Sequence, residues 1–179
     1  MLQLNQSCLV VVDVQGKLAQ LMHDKDSLLG NIKILIKAAN ILGIPILWCQ
    51  QYPKGLGATV DEIAELLEGN KPIDKTSFDC FGDEKFRMKL AALDKKNIIL
   101  CGIEAHVCIY QTAEALLKKG YRVELISDAV SSRTLQNKQI GIDRMRIGGV
   151  NISSTEMVLF ELLKDAKNSK FKEIALLVK

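Results

Sequence analysis

Residues 97–119 have the sequence NIILCGIEAHVCIYQTAEALLKK, and this stretch decides the fold. The short apolar run at 98–101, closed by Gly102, predicts a buried β-strand. Beyond residue 107, apolar and small side chains recur at the spacing of one helix face, at Ile109, Ala113 and Leu116. The stretch therefore predicts a strand, a tight turn and a helix in direct succession.

Cys108 lies where this strand has given way to the helix. Free backbone N–H groups and the helix dipole favour an anion at a helix start, so we expect the pKa of the Cys108 thiol to be lower than that of a free cysteine. Cysteine is also among the most buried residue types, and a structural role is the competing interpretation. The position favours a nucleophile, and a nucleophile needs a partner base.

The remainder of the chain alternates strand and helix patterns without a repeat or linker. Strands are predicted at 8–13, 44–49, 71–74, 98–101, 122–127 and 150–152. Helices are predicted at 27–42, 60–67, 83–93, 136–147 and 171–178, and a capping box at 153–156 opens a helix to Leu163. The segments 50–58 and 75–81 are predicted loops. The alternation predicts an α/β fold, with a mostly parallel sheet covered by helices on both faces.

Two charged residues are candidates for one site with Cys108. Asp13 ends the first strand, and the crevice of such sheets lies at the carboxyl ends of the strands, where the strand order reverses. If the first and fourth strands are neighbours, Asp13 and Cys108 face the same crevice. Lys75 in the loop at 75–81 could hold both anions. A capping role for Asp13 and a solvated position for Lys75 are the alternatives.

Length and composition limit the classes of function. The 179 residues predict a single domain over 1–179, and a net charge of +3 without a basic stripe argues against nucleic-acid binding. No apolar run approaches bilayer length, so we expect no membrane partner and a cytoplasmic location. Five cysteines without a C-x-x-C pair, together with only two histidines, predict neither a disulfide framework nor a metal site.

The sequence resembles the isochorismatase-like cysteine hydrolase family, and in particular the isochorismatase domain-containing subgroup. The family motifs are VDVQ at 12–15, KTSF at 75–78, GIEAHVCIYQTA at 102–113 and SDA at 127–129. The subgroup likeness rests on QYPKGLG at 51–57, SSR at 131–133 and SSTE at 153–156. These segments are spread in family order over nearly the whole chain.

The resemblance implies a three-layer α/β/α sandwich around a parallel, six-stranded, Rossmann-like sheet. It implies a catalytic triad of Asp13, Lys75 and Cys108, and a cis peptide bond between Ile103 and Glu104. The backbone N–H groups of Glu104 and Cys108 would form the oxyanion hole. Homo-oligomers are common in the family, and we expect one here.

Two differences from other members of the family narrow the expected activity. Nicotinamidases of the family carry a D-x-H motif and a further histidine for a metal, whereas residues 49–52 here are CQQY. We therefore expect neither a metal nor any other cofactor. True isochorismatases lack the nucleophilic cysteine, so Cys108 favours hydrolysis of a small amide-type (C–N) substrate through a thioester.

Candidate substrate-binding residues are Gln15, Gln51, Tyr52, Phe78 and Tyr110. Core packing is the alternative for the aromatic residues, and a turn role is the alternative for Gln15. A catalytically quiet or redox-responsive binding or scaffold protein that keeps the fold is the alternative function. A redox role would require that Cys49, Cys80 or Cys101 can reach Cys108.

Overall fold

A computed structural model describes all residues from 1 to 179. Its centre is a six-stranded sheet with the order β3-β2-β1-β4-β5-β6, and all neighbouring strands are parallel. The strands are β1 (Ser7–Val12), β2 (Ile46–Gln51), β3 (Ile73–Lys75), β4 (Asn97–Ile103), β5 (Arg122–Ser131) and β6 (Asn151–Ser153). The predicted three-layer α/β/α sandwich with a six-stranded parallel sheet is confirmed.

Nine α-helices accompany the sheet. They are α1 (Gly16–Gln20), α2 (Lys25–Leu42), α3 (Pro53–Leu56), α4 (Asp61–Ala64), α5 (Glu84–Leu93), α6 (Tyr110–Lys118), α7 (Leu135–Ile147), α8 (Thr155–Leu163) and α9 (Phe171–Ala175). Side-chain caps fix several starts: Asp83 accepts a hydrogen bond from the N–H of Phe86, and Ser154 accepts one from Met157. No helix is both long enough and apolar enough to cross a bilayer.

The alternating faces of the central strands supply two separate apolar cores. Leu9 and Val11 of β1 belong to a cluster that includes residues of α2, α8 and α9. Val10 and Val12 point to the opposite face, into a cluster with residues of α5, α6 and α7. This two-residue period is the geometry of a strand that is buried on both sides.

The strand order reverses between β1 and β4, which are hydrogen-bonded neighbours. Gly102 pairs with Val12 at the carboxyl end of this strand pair, with a φ of 119°. A Cβ atom at position 102 would collide with the Val12 backbone. Only glycine fits there, and the close approach places the ends of β1 and β4 side by side.

Several local predictions differ from the structure. β2 continues to Gln51 and α3 follows, so the segment at 50–58 is not a simple loop. Lys75 is the last residue of edge strand β3 and does not belong to the loop after it. Helix α1 was not predicted, because five residues are too short to show a helical period.

Candidate active site

Asp13 directly follows β1, and its φ of 55° is left-handed, a conformation that aspartate adopts more readily than most residues. Its carboxylate is almost completely buried, with 2% of the side chain exposed. Oδ2 accepts a hydrogen bond from Lys75 Nζ at 2.8 Å. Oδ1 is buried without a hydrogen-bond partner, so it is free to accept a proton.

The Lys75 ammonium group is buried among four acceptors. They are Asp13 Oδ2 and Gln51 Oε1, both at 2.8 Å, and the carbonyl oxygens of Ser77 and Phe78, both at 3.2 Å. An ammonium group has only three protons to donate, so these acceptors use all of them. Burial by itself would lower the pKa of Lys75, but the charges of Cys80, Asp13 and Cys108 outweigh burial and raise it.

Cys108 lies in a π-helical turn, Ala105–Ile109, between β4 and α6. The turn contains the wide hydrogen bond from the Ile109 N–H to the Glu104 carbonyl, at 3.2 Å. Such turns are rare and are often found at functional sites. The peptide bond between Ile103 and Glu104, immediately before the turn, is cis.

The expected low pKa of the Cys108 thiol is wrong for the free protein. Burial raises the pKa of Cys108, and the nearby Asp13 carboxylate raises it further, while Lys75 lowers it only in part. Burial also raises the pKa of Asp13, against the opposing effects of Lys75 and Cys108. The resting site therefore holds a neutral thiol next to the carboxylate, and the helix start does not overcome the loss of solvent.

Asp13, Cys108 and Glu104 share one cavity of about 100 Å³. Its other lining residues are Leu18, Gln51, Leu56, Phe78, Ile103 and Val107. Lys75 lies behind Asp13, within hydrogen-bonding distance of it. Strands β1 and β3 and the turn after β4 thus bring together the three residues that the sequence analysis placed in one site.

The predicted substrate-binding residues divide into two groups. Gln51 and Phe78 line the cavity, although the Gln51 amide also holds Lys75 and the carbonyl of Thr76. Gln15, Tyr52 and Tyr110 do not line it.

Each of those three side chains is placed elsewhere for a physical reason. The Gln15 amide is completely buried. Its Nε2 donates to the carbonyls of Gln51 and Gly57, and its Oε1 accepts from the Gln51 N–H. Gln15 therefore holds the local backbone, which corresponds to the predicted alternative of a turn role. The ring of Tyr52 packs over Gly55. The Tyr110 hydroxyl accepts a hydrogen bond from Arg144, whose guanidinium lies 5.4 Å from the ring centre.

The cavity also has apolar walls that the sequence analysis missed. These walls are formed by Leu18 on α1, Leu56 on α3 and Val107 in the π-helical turn. The three elements are too short to show a hydrophobic period in the sequence, so no pattern could assign these residues to a site. Glu104 has a side-chain role as well: Oε2 accepts from the backbone N–H of Arg133 at 3.0 Å and from its Nε at 3.3 Å. This contact ties the turn to the segment after β5.

The five cysteines and the potential metal ligands bear on two other kinds of chemistry. All five cysteines are free, and Cys49 and Cys80 interact with each other through their side chains. Cys108 is the only cysteine that lines the cavity. No group of three or more histidine, cysteine, aspartate or glutamate side chains is arranged to hold a metal ion.

Comparison with known proteins agrees with this architecture. The isochorismatase domain family model matches residues 7–157. Isochorismatase domain-containing protein 2 of Danio rerio is 41% identical over 169 residues, which are 94% of this chain and 84% of the relative. Isochorismatase family protein 1A of Dictyostelium discoideum is 39% identical over 174 residues, covering 95% and 84% of the two chains.

Two solved structures share the fold. A structure described as MAR1 ribonuclease from Caenorhabditis elegans has a TM-score of 0.93 at 36% identity, covering 99% of this chain and 91% of that one. An octameric hydrolase of unknown specificity from Escherichia coli has a TM-score of 0.93 at 23% identity, covering 98% and 88%. With the family model and the relatives in agreement over most of its length, the chain belongs to the isochorismatase family of hydrolases.

Proposed function

We propose that this protein is a cysteine hydrolase that cleaves a small amide-type (C–N) substrate through a thioester on Cys108. The observation that supports this best is the buried ion pair of Asp13 and Lys75, in which the Asp13 carboxylate shares one cavity with the Cys108 thiol. Fully buried charges are costly and are retained where they have a task. Here the pair keeps a carboxylate beside the neutral thiol, where it can accept the thiol proton during attack.

In the proposed reaction, Asp13 Oδ1 takes the thiol proton as the sulfur attacks the carbonyl carbon. A C–S bond forms, and the oxyanion accepts hydrogen bonds from the backbone N–H groups of Glu104 and Cys108. The C–N bond then breaks, and Asp13 returns the proton to the leaving amine. Asp13 next activates water, which hydrolyses the thioester to the acid and restores the thiol. Lys75 holds the carboxylate in place, and no step needs a cofactor.

The test combines turnover with direct detection of the intermediate. Wild-type protein is mixed with amides, ammonia release is followed, and intact mass is recorded after acid quenching. We expect an acyl adduct on Cys108 and loss of turnover by at least about a thousandfold in Cys108→Ala and Asp13→Asn, with unchanged circular dichroism. Turnover that survives in Cys108→Ala would overturn the thioester mechanism.

The alternative is a catalytically quiet or redox-responsive binding or scaffold protein. The observation in favour of the redox form of this alternative is a pair of neighbouring thiols, Cys49 and Cys80. Under this alternative, no amide acylates Cys108, whereas dilute hydrogen peroxide converts Cys108 to a sulfenic acid or a disulfide, which peptide mapping detects. The same wild-type preparation distinguishes the two proposals.

The description of the Caenorhabditis elegans relative as a ribonuclease raises RNA as a substrate. We propose a small molecule instead, and no nucleic-acid partner. Recognition of a phosphodiester needs cationic donors. The only lysine at the site uses all its protons within the protein, and the cavity volume of about 100 Å³ is small for a nucleotide.

We further propose that the protein forms a homo-oligomer without a membrane partner and is cytoplasmic. The Escherichia coli structural neighbour is described as octameric. Helix α7 exposes three large apolar side chains to solvent: Leu135, Ile140 and Ile147. Ile140 and Ile147 are about two helical turns apart and lie on one face of α7, and a second copy of the chain would cover this face. The five free thiols are compatible with a reducing compartment.

A further inference from the structure

The size of the cavity limits the part of the substrate that can be bound beside Cys108. A volume of about 100 Å³ is smaller than an engineered apolar cavity of about 150 Å³ that holds benzene. Glu104 and Cys108, which supply the proposed oxyanion donors, line this same volume. The part of the acyl group enclosed beside Cys108 must therefore be small, and a longer chain extends toward the exposed rim.

Most of the cavity wall is apolar, and Gln51 is the one polar lining residue outside the proposed catalytic groups. Leu18, Leu56, Phe78, Ile103 and Val107 come from five different segments and contribute only hydrocarbon surface. Leu56 and Phe78 are 38% and 53% exposed, so the apolar lining continues outward to the rim. Such walls favour an acyl chain without polar atoms.

Protein groups satisfy the charges at the cavity except at Asp13 Oδ1, which has no hydrogen-bond partner. Lys75 is fully occupied by its four acceptors, so it has no proton left for a substrate carboxylate. The Glu104 carboxylate is bound by Arg133, and Asp13 is bound by Lys75. An added anion would lose its water without gaining a cationic partner, which is costly. The one open acceptor, Asp13 Oδ1, takes the thiol proton in the proposed reaction, so it cannot also serve a cationic substrate group.

We propose that the enzyme selects amides of short, neutral, apolar carboxylic acids and rejects the matching anionic and cationic amides. This inference rests on the proposed function, since the acyl group in question is the one transferred to Cys108. It adds the chemical class of the acyl group, which the reaction mechanism alone does not determine.

Three amides of similar length test the selection. In 4-methylpentanamide an isopropyl group takes the place of the carboxylate of succinamate, and 4-aminobutanamide carries an ammonium group. We expect kcat/KM for the neutral amide, measured by ammonia release, to exceed both others by at least tenfold. Equal or faster turnover of either charged amide would overturn the inference.

A charge introduced at the wall gives a second, independent measurement. Leu18→Lys places an ammonium group at the partly exposed end of the lining, and Leu18→Met is the control of similar volume without a charge. We expect Leu18→Lys to increase the ratio of succinamate to 4-methylpentanamide turnover by at least tenfold, and Leu18→Met to leave it unchanged. An equal increase in Leu18→Met would contradict the role assigned to charge.

The intact mass of the protein after each reaction distinguishes failure of the proposed substrate class from failure of the thioester mechanism. A Cys108 adduct that forms fastest with succinamate would overturn the substrate class while supporting the thioester mechanism. Unmodified Cys108 with all three amides, together with absent turnover, would overturn the amidase proposal and this inference with it.

Discussion

Asp13 and Lys75 have opposite effects on the pKa of the Cys108 thiol, so single substitutions can distinguish their roles. The Asp13 charge raises the pKa of Cys108, and the Lys75 charge lowers it. Removing the Asp13 carboxylate should therefore make the thiol easier to ionise, although it also removes the proposed base. Removing the ammonium should make it harder to ionise.

Alkylation by iodoacetamide measures this directly. At a fixed pH below the thiol pKa, a change of one pKa unit alters the thiolate fraction about tenfold. We expect Cys108 to be alkylated faster in Asp13→Asn and more slowly in Lys75→Met than in the wild type, as followed by peptide mass mapping over pH 7–10. Asp143→Asn, which removes a carboxylate on α7, is the control and should match the wild type. Slower alkylation in Asp13→Asn would contradict the electrostatic assignment.

The sequence predicted that Asp13, Lys75 and Cys108 lie together, but it did not predict the protonation state of the thiol. Asp13 and Cys108 could be placed together from the ends of two strands, because a parallel sheet has only one crevice at its strand reversal. The direction of the Cys108 pKa depends on burial by Leu18, Leu56 and neighbouring side chains, which come from other parts of the chain. The contacts of Gln15 could not be predicted for the same reason, because its hydrogen-bond partners are backbone atoms of the distant residues 51 and 57.

At the scale of elements, the contact between β1 and β4 depends on one glycine. Gly102 has a positive φ, and a Cβ atom there would collide with the Val12 backbone, one residue before Asp13. The substitution that creates this atom must separate the strands or strain them.

We expect Gly102→Ala to lower the free energy of unfolding by at least about 2 kcal/mol and to reduce turnover, because Asp13 moves with the end of β1. The matched control is Gly30→Ala in α2, where an added Cβ has nothing within 4 Å. This variant should be neutral or stabilised by up to about 1 kcal/mol. Urea denaturation of both proteins gives the comparison, and equal stability of the two variants would be evidence against the close-contact argument.

The long elements and the short strands β3 and β6 were predicted well, whereas the short helices near the site were not. Helix α5 and strand β4 carry an apolar pattern and recognisable ends, so their positions were predicted to within a few residues. Helix α3 has four residues, with a proline at its start and a glycine among them, and its composition is that of a loop. The π-helical turn depends on a hydrogen bond between Glu104 and Ile109 that no side-chain pattern specifies.

At the scale of the whole molecule, the α/β architecture follows from the alternation of strands and helices, while assembly depends on surfaces. Helix α7 concentrates exposed apolar side chains, and Ile147 is 85% exposed. Helix α5 exposes a single large apolar residue, Met88. A surface that is covered by a second copy should tolerate a charge less well than an isolated exposed residue.

We expect Ile147→Glu to lower the molar mass measured by light scattering after size-exclusion chromatography, at unchanged secondary structure. Met88→Glu, at a similarly exposed position, should keep the mass of the wild type. An unchanged mass in Ile147→Glu, or a monomeric wild-type protein, would contradict the proposed interface on α7.

The three side chains proposed as catalytic lie directly after β1, at the end of edge strand β3 and in the turn after β4, and 62 positions separate Asp13 from Lys75 in the chain. No single hairpin or helix pair contains the site. During refolding, catalytic competence must therefore appear late, after the pairings of β1 with both β2 and β4 and of β2 with β3 are complete. Recovery of activity would thus be a kinetic probe of completed sheet topology, which the recovery of helical signal alone would not report.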